Sequence, residues 1–327
     1  GSELVTDDRV RDWTNDGINA IVLSLSEDAA ARNVKAAARR IQSAGLALYY
    51  WIEVGRNPAM AEAHPEWMAS LQGHAEWRRH FPGLRESAQD EVVKNYPWVP
   101  VGYAEPFDAH LERVAALVKG QPLPVGVFLN DLQSAPSACG CGNSLCRWTP
   151  GYGPIHTATR LSADAAEKFA SAVQQLMPRA RIIPVWTTEC EELDGVKNGP
   201  CAGVGCFSGA CWKEFTAQLM PVAAKFDSLA VLLLYRVFDR DLTRYGAPAG
   251  WVKDALDSFR SMPPRRHGKA IAANRLIAIL QGWDVSPAQR EAQILQSQEA
   301  GAAGYVLALA EIDQSWEPRI TKTERKR

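Results

Sequence analysis

The 327-residue sequence predicts a single (β/α)8 barrel, an α/β fold in which eight parallel strands alternate with helices. Short β-rich apolar runs alternate with segments of helical period, as expected for repeated βα units. Helix-to-strand connections are short, whereas strand-to-helix connections are long, most of all after strands two, four and five. In this fold the long loops all lie at the C-terminal mouth, where active sites are found.

Eight apolar runs are candidate strands, and turn or helix signals bound each of them. The runs are Ala20–Ser24, Leu46–Glu53, Trp98–Tyr103, Val125–Asp131, Arg181–Glu189, Leu229–Arg236, Leu276–Trp283 and Tyr305–Ala310.

Helix-terminus signals fall between these runs. Ser162 and Ser286 are predicted N-caps, and Pro287 takes the first helical position after Ser286. Pro106 is predicted to open a helix with one apolar face. Glycines predicted to end helices are Gly45, Gly120 and Gly301.

Composition narrows the function classes. The formal net charge is -1 and the charges are scattered, so we expect no nucleic-acid partner. No apolar run approaches the roughly 20 residues needed to cross a bilayer, so we expect no membrane partner. Gly1-Ser2 is typical of a cloning remnant and residues from about 318 to 327 of a solvated tail. The sequence favours export but does not determine the cellular compartment. It does not determine the oligomeric state either.

The chain contains 11 tryptophans, several of them beside polar or charged residues. Such placement favours flat polar ligands such as sugars, although tryptophan also lines ordinary cores. Trp51 and Glu53 share one face of strand two because side chains alternate in a strand. If that face points inward, the pair can stack on and hydrogen-bond a sugar together with Arg56. If it points outward, Glu53 and Arg56 form a structural ion pair.

Carboxylates follow several predicted strands. Asp131 follows Asn130 at the end of strand four, where barrel enzymes keep catalytic acids, although Asp also caps turns. Glu189 ends strand five and Asp239 follows strand six. Hydrolysis of a glycosidic bond usually requires two carboxyl groups, so Asp131 with Glu189 or Asp239 is the predicted catalytic set. The predicted sugar-binding residues are Trp51, Glu53, Arg56, Asn130, Trp186, Arg236, Trp283 and Glu311.

Seven cysteines lie in the predicted loops after strands four and five. Cys139, Cys141 and Cys146 form a C-x-C-x4-C pattern that can converge on a structural zinc, with Cys190 or another cysteine of the second loop as the fourth ligand. Alternatively, three disulfides and one free thiol would staple the two loops of an exported protein. Mixed use is a third possibility, and each of these roles is structural.

Asn130-Asp131, followed by Cys139-x-Cys141-x4-Cys146 and Trp148, resembles the region after strand four of the beta-galactosidase-like glycoside hydrolases of family 42. The resemblance implies that Asp131 is the acid/base and that the three cysteines bind zinc. It covers residues 130–148 and differs from that family in having Asp for Glu, wider cysteine spacing, no cysteine before strand four and no clear Glu ending strand seven.

The chain also resembles uncharacterised glycosidase-like barrels related to the alpha-fucosidases and melibiases, whose nucleophile Asp ends strand four. That resemblance implies that Asp131 attacks and that Asp239 or Glu189 protonates the leaving group. We therefore expect a glycoside hydrolase acting on an oligo- or polysaccharide. The alternatives are a carbohydrate-binding pseudo-enzyme without a competent acid pair and a cysteine-rich metal-binding barrel.

Overall fold

A computed structural model describes residues 1–55, 57–64, 67, 91–96, 99, 101–130, 132, 155–187, 226–233, 252–253, 256–257, 272–309 and 317–322. Within these ranges seven parallel strands form a nearly closed barrel with flanking helices, which confirms the predicted fold class.

Seven of the nine described strands follow predicted runs, whereas Glu91–Tyr96 and Glu317–Lys322 were not predicted, and one predicted run is treated below. The nine described strands are β1 (Ala20–Leu25), β2 (Ala47–Glu53), β3 (Glu91–Tyr96), β4 (Gly126–Asn130), β5 (Arg181–Thr187), β6 (Leu229–Leu233), β7 (Leu276–Gln281), β8 (Gly304–Ala308) and β9 (Glu317–Lys322).

The helices with defined bounds are α1 (Asp7–Asn15), α2 (Ala31–Ser43), α3 (Pro58–Ala63), α4 (Ala104–Val118), α5 (Ile155–Leu176) and α6 (Pro287–Glu299). Ser286 caps α6 as predicted, in a reciprocal capping box with Gln289. Two predicted starts are wrong, because α4 begins two residues before Pro106 and Ser162 lies inside α5. Across the described residues, no helix combines the length and the apolarity that a membrane span requires.

The predicted third strand, Trp98–Tyr103, is wrong. Val101 and Gly102 form a turn, and the Val99 N–H donates to the Gly55 carbonyl at 2.6 Å instead of joining a ladder. Pro100, which lies between Val99 and Val101 in the sequence, has no N–H to donate. As a result β2 pairs directly with β4, and the strand order of the barrel is β1-β2-β4-β5-β6-β7-β8.

A proline is nevertheless accommodated within β5. The ladder between β4 and β5 ends at the Leu129–Pro184 pair, and the ladder between β5 and β6 begins at Val185–Ala230. Pro184 therefore stands where β5 changes its partner, a position that needs one backbone donor fewer.

The two faces of the sheet have different neighbours. Leu48, Tyr50 and Ile52 of β2 belong to a buried cluster with residues of α2, α4 and α5. Trp51 and Glu53 alternate with them and face the barrel interior, because successive side chains of a strand point to opposite sides. The barrel interior is therefore the face to search for a site.

The described residues also contain a second, two-stranded sheet. β3 pairs antiparallel with β9, with Glu91 opposite Lys322 and Tyr96 opposite Glu317. β9 thus occupies part of the segment, from about 318 onward, that the sequence suggests is a solvated tail.

Gly282, directly after β7, lies too close to β8 for a larger residue. A Cβ there would stand 2.6 Å from the Ala308 carbonyl oxygen and 2.8 Å from Leu307 Cγ. We expect Gly282→Ala to lower the free energy of unfolding by about 1–3 kcal/mol, since the backbone must shift to relieve the contact. Urea unfolding of the variant measures this loss.

Gly304→Ala is the matched control, because a Cβ at Gly304 meets nothing within 4 Å. It should change the unfolding free energy by less than about 1 kcal/mol. Equal stability of the two variants would contradict the close approach of β7 and β8.

Candidate functional site

The inner face at the C-terminal ends of β2 and β4 carries a group of bonded polar side chains. Glu53 and Asn130 are register partners in these neighbouring strands. The Trp51 indole N–H donates to Glu53 Oε1 at 2.6 Å, and Asn130 Nδ2 donates to Glu53 Oε2 at 2.8 Å. We call Trp51, Glu53 and Asn130 the carboxylate cluster.

The carboxylate cluster is largely removed from solvent. Trp51 is 8% exposed and Asn130 is 2% exposed, while Glu53 is half-buried. The Trp51 ring stacks on Phe128 with centroids 5.9 Å apart, which fixes the direction of its N–H. Two N–H donors, one on each carboxyl oxygen, thus hold the Glu53 carboxyl group in a defined orientation at the mouth.

The backbone of Glu53 is held from the helix side. Arg113 of α4 donates from Nη2 to the Glu53 carbonyl and from Nη1 to Glu27 Oε1, the latter at 2.8 Å. The guanidinium thus connects the end of β2 to the connection that follows β1. Both the side chain and the main chain of Glu53 have assigned partners, so its position is well defined.

His110, one helical turn before Arg113 in α4, is a buried residue that the sequence analysis did not single out. Its Nε2–H donates to the Val99 carbonyl at 2.7 Å, and its Nδ1 has no hydrogen-bond partner among the described residues. Burial, and then the charge of Arg113, lowers the pKa of His110 to about 4. The sequence does carry a signal for the burial of His110, because Pro106, His110 and Val114 recur at helical spacing on the buried face of α4.

Acid should therefore destabilise the protein through His110. The pKa of His110 is about 4 in the native state against 6.5 for an ordinary histidine, so the unfolded chain binds more protons between these values. Stability is full above pH 6.5 and is lost as the pH falls toward 4. We expect a loss of about 2 kcal/mol from this residue between pH 7.5 and pH 5, measured by urea unfolding.

His110→Gln is the reference for this measurement. Glutamine can reach the Val99 carbonyl from a similar position but does not titrate, so the variant should lose less stability on acidification than the wild-type protein. Identical pH dependence of the two proteins would contradict the assignment to His110.

The C-terminal end of β7 is a second ordered part of the mouth. Gln281 is 1% exposed and donates from Nε2 to the Trp283 carbonyl at 3.1 Å. Gln293 of α6, also 1% exposed, bonds both backbone groups of Gln281. Trp283 itself is half-buried, and the exposed Asp284 that follows has a positive φ of 49°.

The predicted site residues divide into described and undescribed ones. Trp51, Glu53, Asn130 and Trp283 are described, and the first three are in contact. Trp186 lies within β5, opposite Val231, and its side chain lies outside the described residues. The predicted residues that lie wholly outside the described part are Arg56, Asp131, Glu189, Arg236, Asp239 and Glu311.

All seven cysteines, among them the predicted zinc ligands Cys139, Cys141, Cys146 and Cys190, also lie outside the described residues. Zinc and disulfides both stay predictions. Among the residues that are described, no group of three or more His, Cys, Asp or Glu is placed to hold a metal ion.

Cys141→Ser should destabilise the protein under either prediction, by about 2–5 kcal/mol if it breaks a disulfide. Thermal unfolding measures the loss, and unchanged melting would contradict a structural role for this cysteine. Elemental analysis with a thiol count in denaturant separates the two cases. One zinc per chain with several free thiols indicates a metal site, whereas no metal and about one thiol indicates disulfides.

No protein-family model matches the chain, and no curated protein matches its sequence. Among solved structures, alpha-L-fucosidase isoenzyme 2 from Paenibacillus thiaminolyticus matches at 12% identity and a TM-score of 0.46, over 92% of this chain and 46% of that chain. A cold-adapted beta-galactosidase from Rahnella sp. R3 matches at 10% identity and a TM-score of 0.49, over 93% and 47%. A beta-galactosidase from the psychrophilic Marinomonas ef1 matches at 9% and 0.49, over 92% and 51%.

These three structures are glycoside hydrolases, and this chain spans about half the length of each.

Proposed function

We propose that this barrel is a glycoside hydrolase that cleaves an oligo- or polysaccharide with a pair of carboxyl groups at its C-terminal mouth. The observation that supports this most is the carboxylate cluster. It places the carboxyl group of Glu53 and the buried amide of Asn130 on the inner face, and Asn130 immediately precedes Asp131 in the sequence. A mouth with a few convergent polar groups beside an aromatic wall is typical of small-molecule sites.

The chemistry of the cluster suits a sugar. A fixed carboxylate accepts hydrogen bonds from hydroxyl groups, and a carboxamide can both donate and accept. Both carboxyl oxygens of Glu53 already accept a hydrogen bond from an N–H donor of the protein, so their orientation is set before a ligand binds. We therefore give Glu53 the role of orienting substrate hydroxyls and not the role of the acid.

The catalytic pair in this proposal is Asp131 with Glu189 or Asp239. These residues follow strands four, five and six, so they would approach one mouth from neighbouring strand ends. The family-42-like resemblance makes Asp131 the acid/base, and the fucosidase-like resemblance makes it the nucleophile. The remaining sugar-binding residues in the proposal are Arg56, Trp186, Arg236, Trp283 and Glu311.

The test is turnover of a panel of 4-nitrophenyl α- and β-glycosides of galactose, glucose, fucose and mannose, with reducing-end release from oligosaccharides measured in parallel. Hydrolysis of at least one compound by wild-type protein, and its loss in Asp131→Asn, would support the proposal. Binding without turnover would instead support a carbohydrate-binding pseudo-enzyme. Neither binding nor turnover across the panel would count against a carbohydrate function.

A further inference from the structure

The end of β7 is completed by a side chain from a helix. The ladder between β6 and β7 has its last described pair at Leu233 and Leu280. At the next residue, the Gln281 N–H donates to Gln293 Oε1 at 3.2 Å, and Gln293 Nε2 donates to the Gln281 carbonyl at 3.0 Å. The carboxamide of Gln293 therefore bonds Gln281 as the peptide group of an adjacent strand would.

The two hydrogen bonds between Gln293 and Gln281 are buried. Gln281 and Gln293 are each 1% exposed, and an amide buried without partners costs about 1–3 kcal/mol. Both hydrogen bonds therefore contribute to stability at this buried position. An apolar residue at position 293 would leave the N–H and the carbonyl of Gln281 without these partners.

The bonded turn continues to Trp283. The Gly282 N–H donates to the Ala308 carbonyl at 2.8 Å, and Arg290 Nη2 donates to the Gly282 carbonyl at 3.4 Å. Gln281 Nε2 then donates to the Trp283 carbonyl. Hydrogen bonds from α6, from β8 and from within the turn thus fix the backbone that carries Trp283.

We propose that Gln293 is a positioning residue, whose carboxamide substitutes for a strand peptide beside Gln281 and thereby holds Trp283 in place at the mouth. The consequence for ligand affinity rests on the proposed function, in which Trp283 contacts the sugar. The position of Trp283 itself does not rest on it.

The first experiment needs no ligand. Protein labelled with 5-fluorotryptophan gives one fluorine resonance for each tryptophan, and Trp283→Phe identifies the resonance of Trp283. In Gln293→Met, which keeps side-chain length but loses both hydrogen bonds, we expect this resonance to shift or broaden. An unchanged Trp283 resonance in Gln293→Met would overturn the proposal.

Gln296→Met is the matched control on the same helix. Gln296 Oε1 accepts from the Val252 N–H at 3.1 Å, so this variant also loses a helix-to-backbone bond. It should destabilise the protein and leave the Trp283 resonance in place. A Trp283 shift of equal size in both variants would mean that general loosening, and not Gln293, moves the ring.

Gln293→Glu tests the hydrogen-bonding role by rescue. A protonated carboxyl group has one donor and one acceptor, as the carboxamide does here, whereas the ionised group has no donor. The Trp283 resonance should lie near its wild-type position at low pH and move away as the pH rises, with wild-type protein compared at each pH. If the Trp283 resonance of Gln293→Glu changes with pH in the same way as that of the wild-type protein, the donor at position 293 does not position Trp283.

Kinetics then connect the position to function. For any panel glycoside that the wild-type protein hydrolyses, Gln293→Met should raise KM about tenfold with a smaller change in kcat, because the ring and not the reacting group has moved. An unchanged KM beside a shifted resonance would remove Trp283 from the sugar site. If no glycoside is hydrolysed, the proposed function fails, and the fluorine resonance alone decides the role of Gln293.

Discussion

Asp131→Asn is expected to reduce turnover of any glycoside that the wild-type protein hydrolyses by about 10²- to 10⁴-fold. A carboxamide can neither give up a proton at the leaving oxygen nor attack as an ionised carboxylate. Because Asn has the shape of Asp, the unfolding free energy should change by less than about 1 kcal/mol. Steady-state kinetics beside urea unfolding measure both effects.

Asp284→Asn is the control for this variant. Asp284 is an exposed carboxylate after β7 with a positive φ, a conformation that Asn also tolerates. The control should keep wild-type turnover. Full activity of Asp131→Asn would remove Asp131 from the mechanism, and loss of activity in Asp284→Asn alone would transfer the role to the end of β7.

The leaving group separates the two roles that the resemblances imply for Asp131. A 2,4-dinitrophenyl glycoside needs little help from an acid, whereas every substrate needs the nucleophile. If Asp131 is the acid/base, Asp131→Asn should cleave this activated substrate far better than a 4-nitrophenyl glycoside. If Asp131 is the nucleophile, the variant should lose activity on both substrates to a similar degree.

Glu53→Met is expected to lower the free energy of unfolding by about 2–6 kcal/mol and to abolish sugar binding. Methionine fills similar space but offers no acceptor to the Trp51 and Asn130 N–H donors. Each buried donor left without its partner costs about 1–3 kcal/mol. Urea unfolding gives the stability, and titration with the best panel glycoside gives the affinity.

Glu53→Gln with Asn130→Asp tests the assigned hydrogen bonds directly. Glu53→Gln alone keeps one acceptor oxygen, so its NH2 group faces one of the two donors. Adding Asn130→Asp supplies an acceptor to that NH2 group, which should recover stability in a double-mutant cycle. A double variant no more stable than the sum of its single variants would mean that the two side chains do not bond as described.

Seven strands could be predicted because their apolar runs, turn residues and helix caps agree with each other. The failure at Trp98–Tyr103 shows the limit of local pattern. Pro100 interrupts that run, yet Pro184 is tolerated in β5, where the strand changes its partner. Whether a backbone donor is dispensable depends on neighbouring strands, which local sequence does not reveal.

The same error concealed the centre of the candidate site. Period-two alternation places Trp51 and Glu53 on one face, as the structure has them. The hydrogen bond from Asn130 to Glu53 could not be predicted, because the wrongly predicted third strand would have separated β2 from β4. Gln293 was missed because glutamine usually faces solvent in a helix, although its spacing with Ser297 marks the buried stripe of α6.

Direct pairing of β2 with β4 also leaves the segment 56–98 between two residues, Gly55 and Val99, that are hydrogen-bonded to each other. Its two ends meet where Val99 bonds the Gly55 carbonyl, and His110 holds the other side of Val99. Loop closure depends weakly on length, about 0.6 kcal/mol for each doubling, so a change in the length of this segment should alter the closure entropy little. The segment also contains β3, so its removal would take away the strand that pairs with β9.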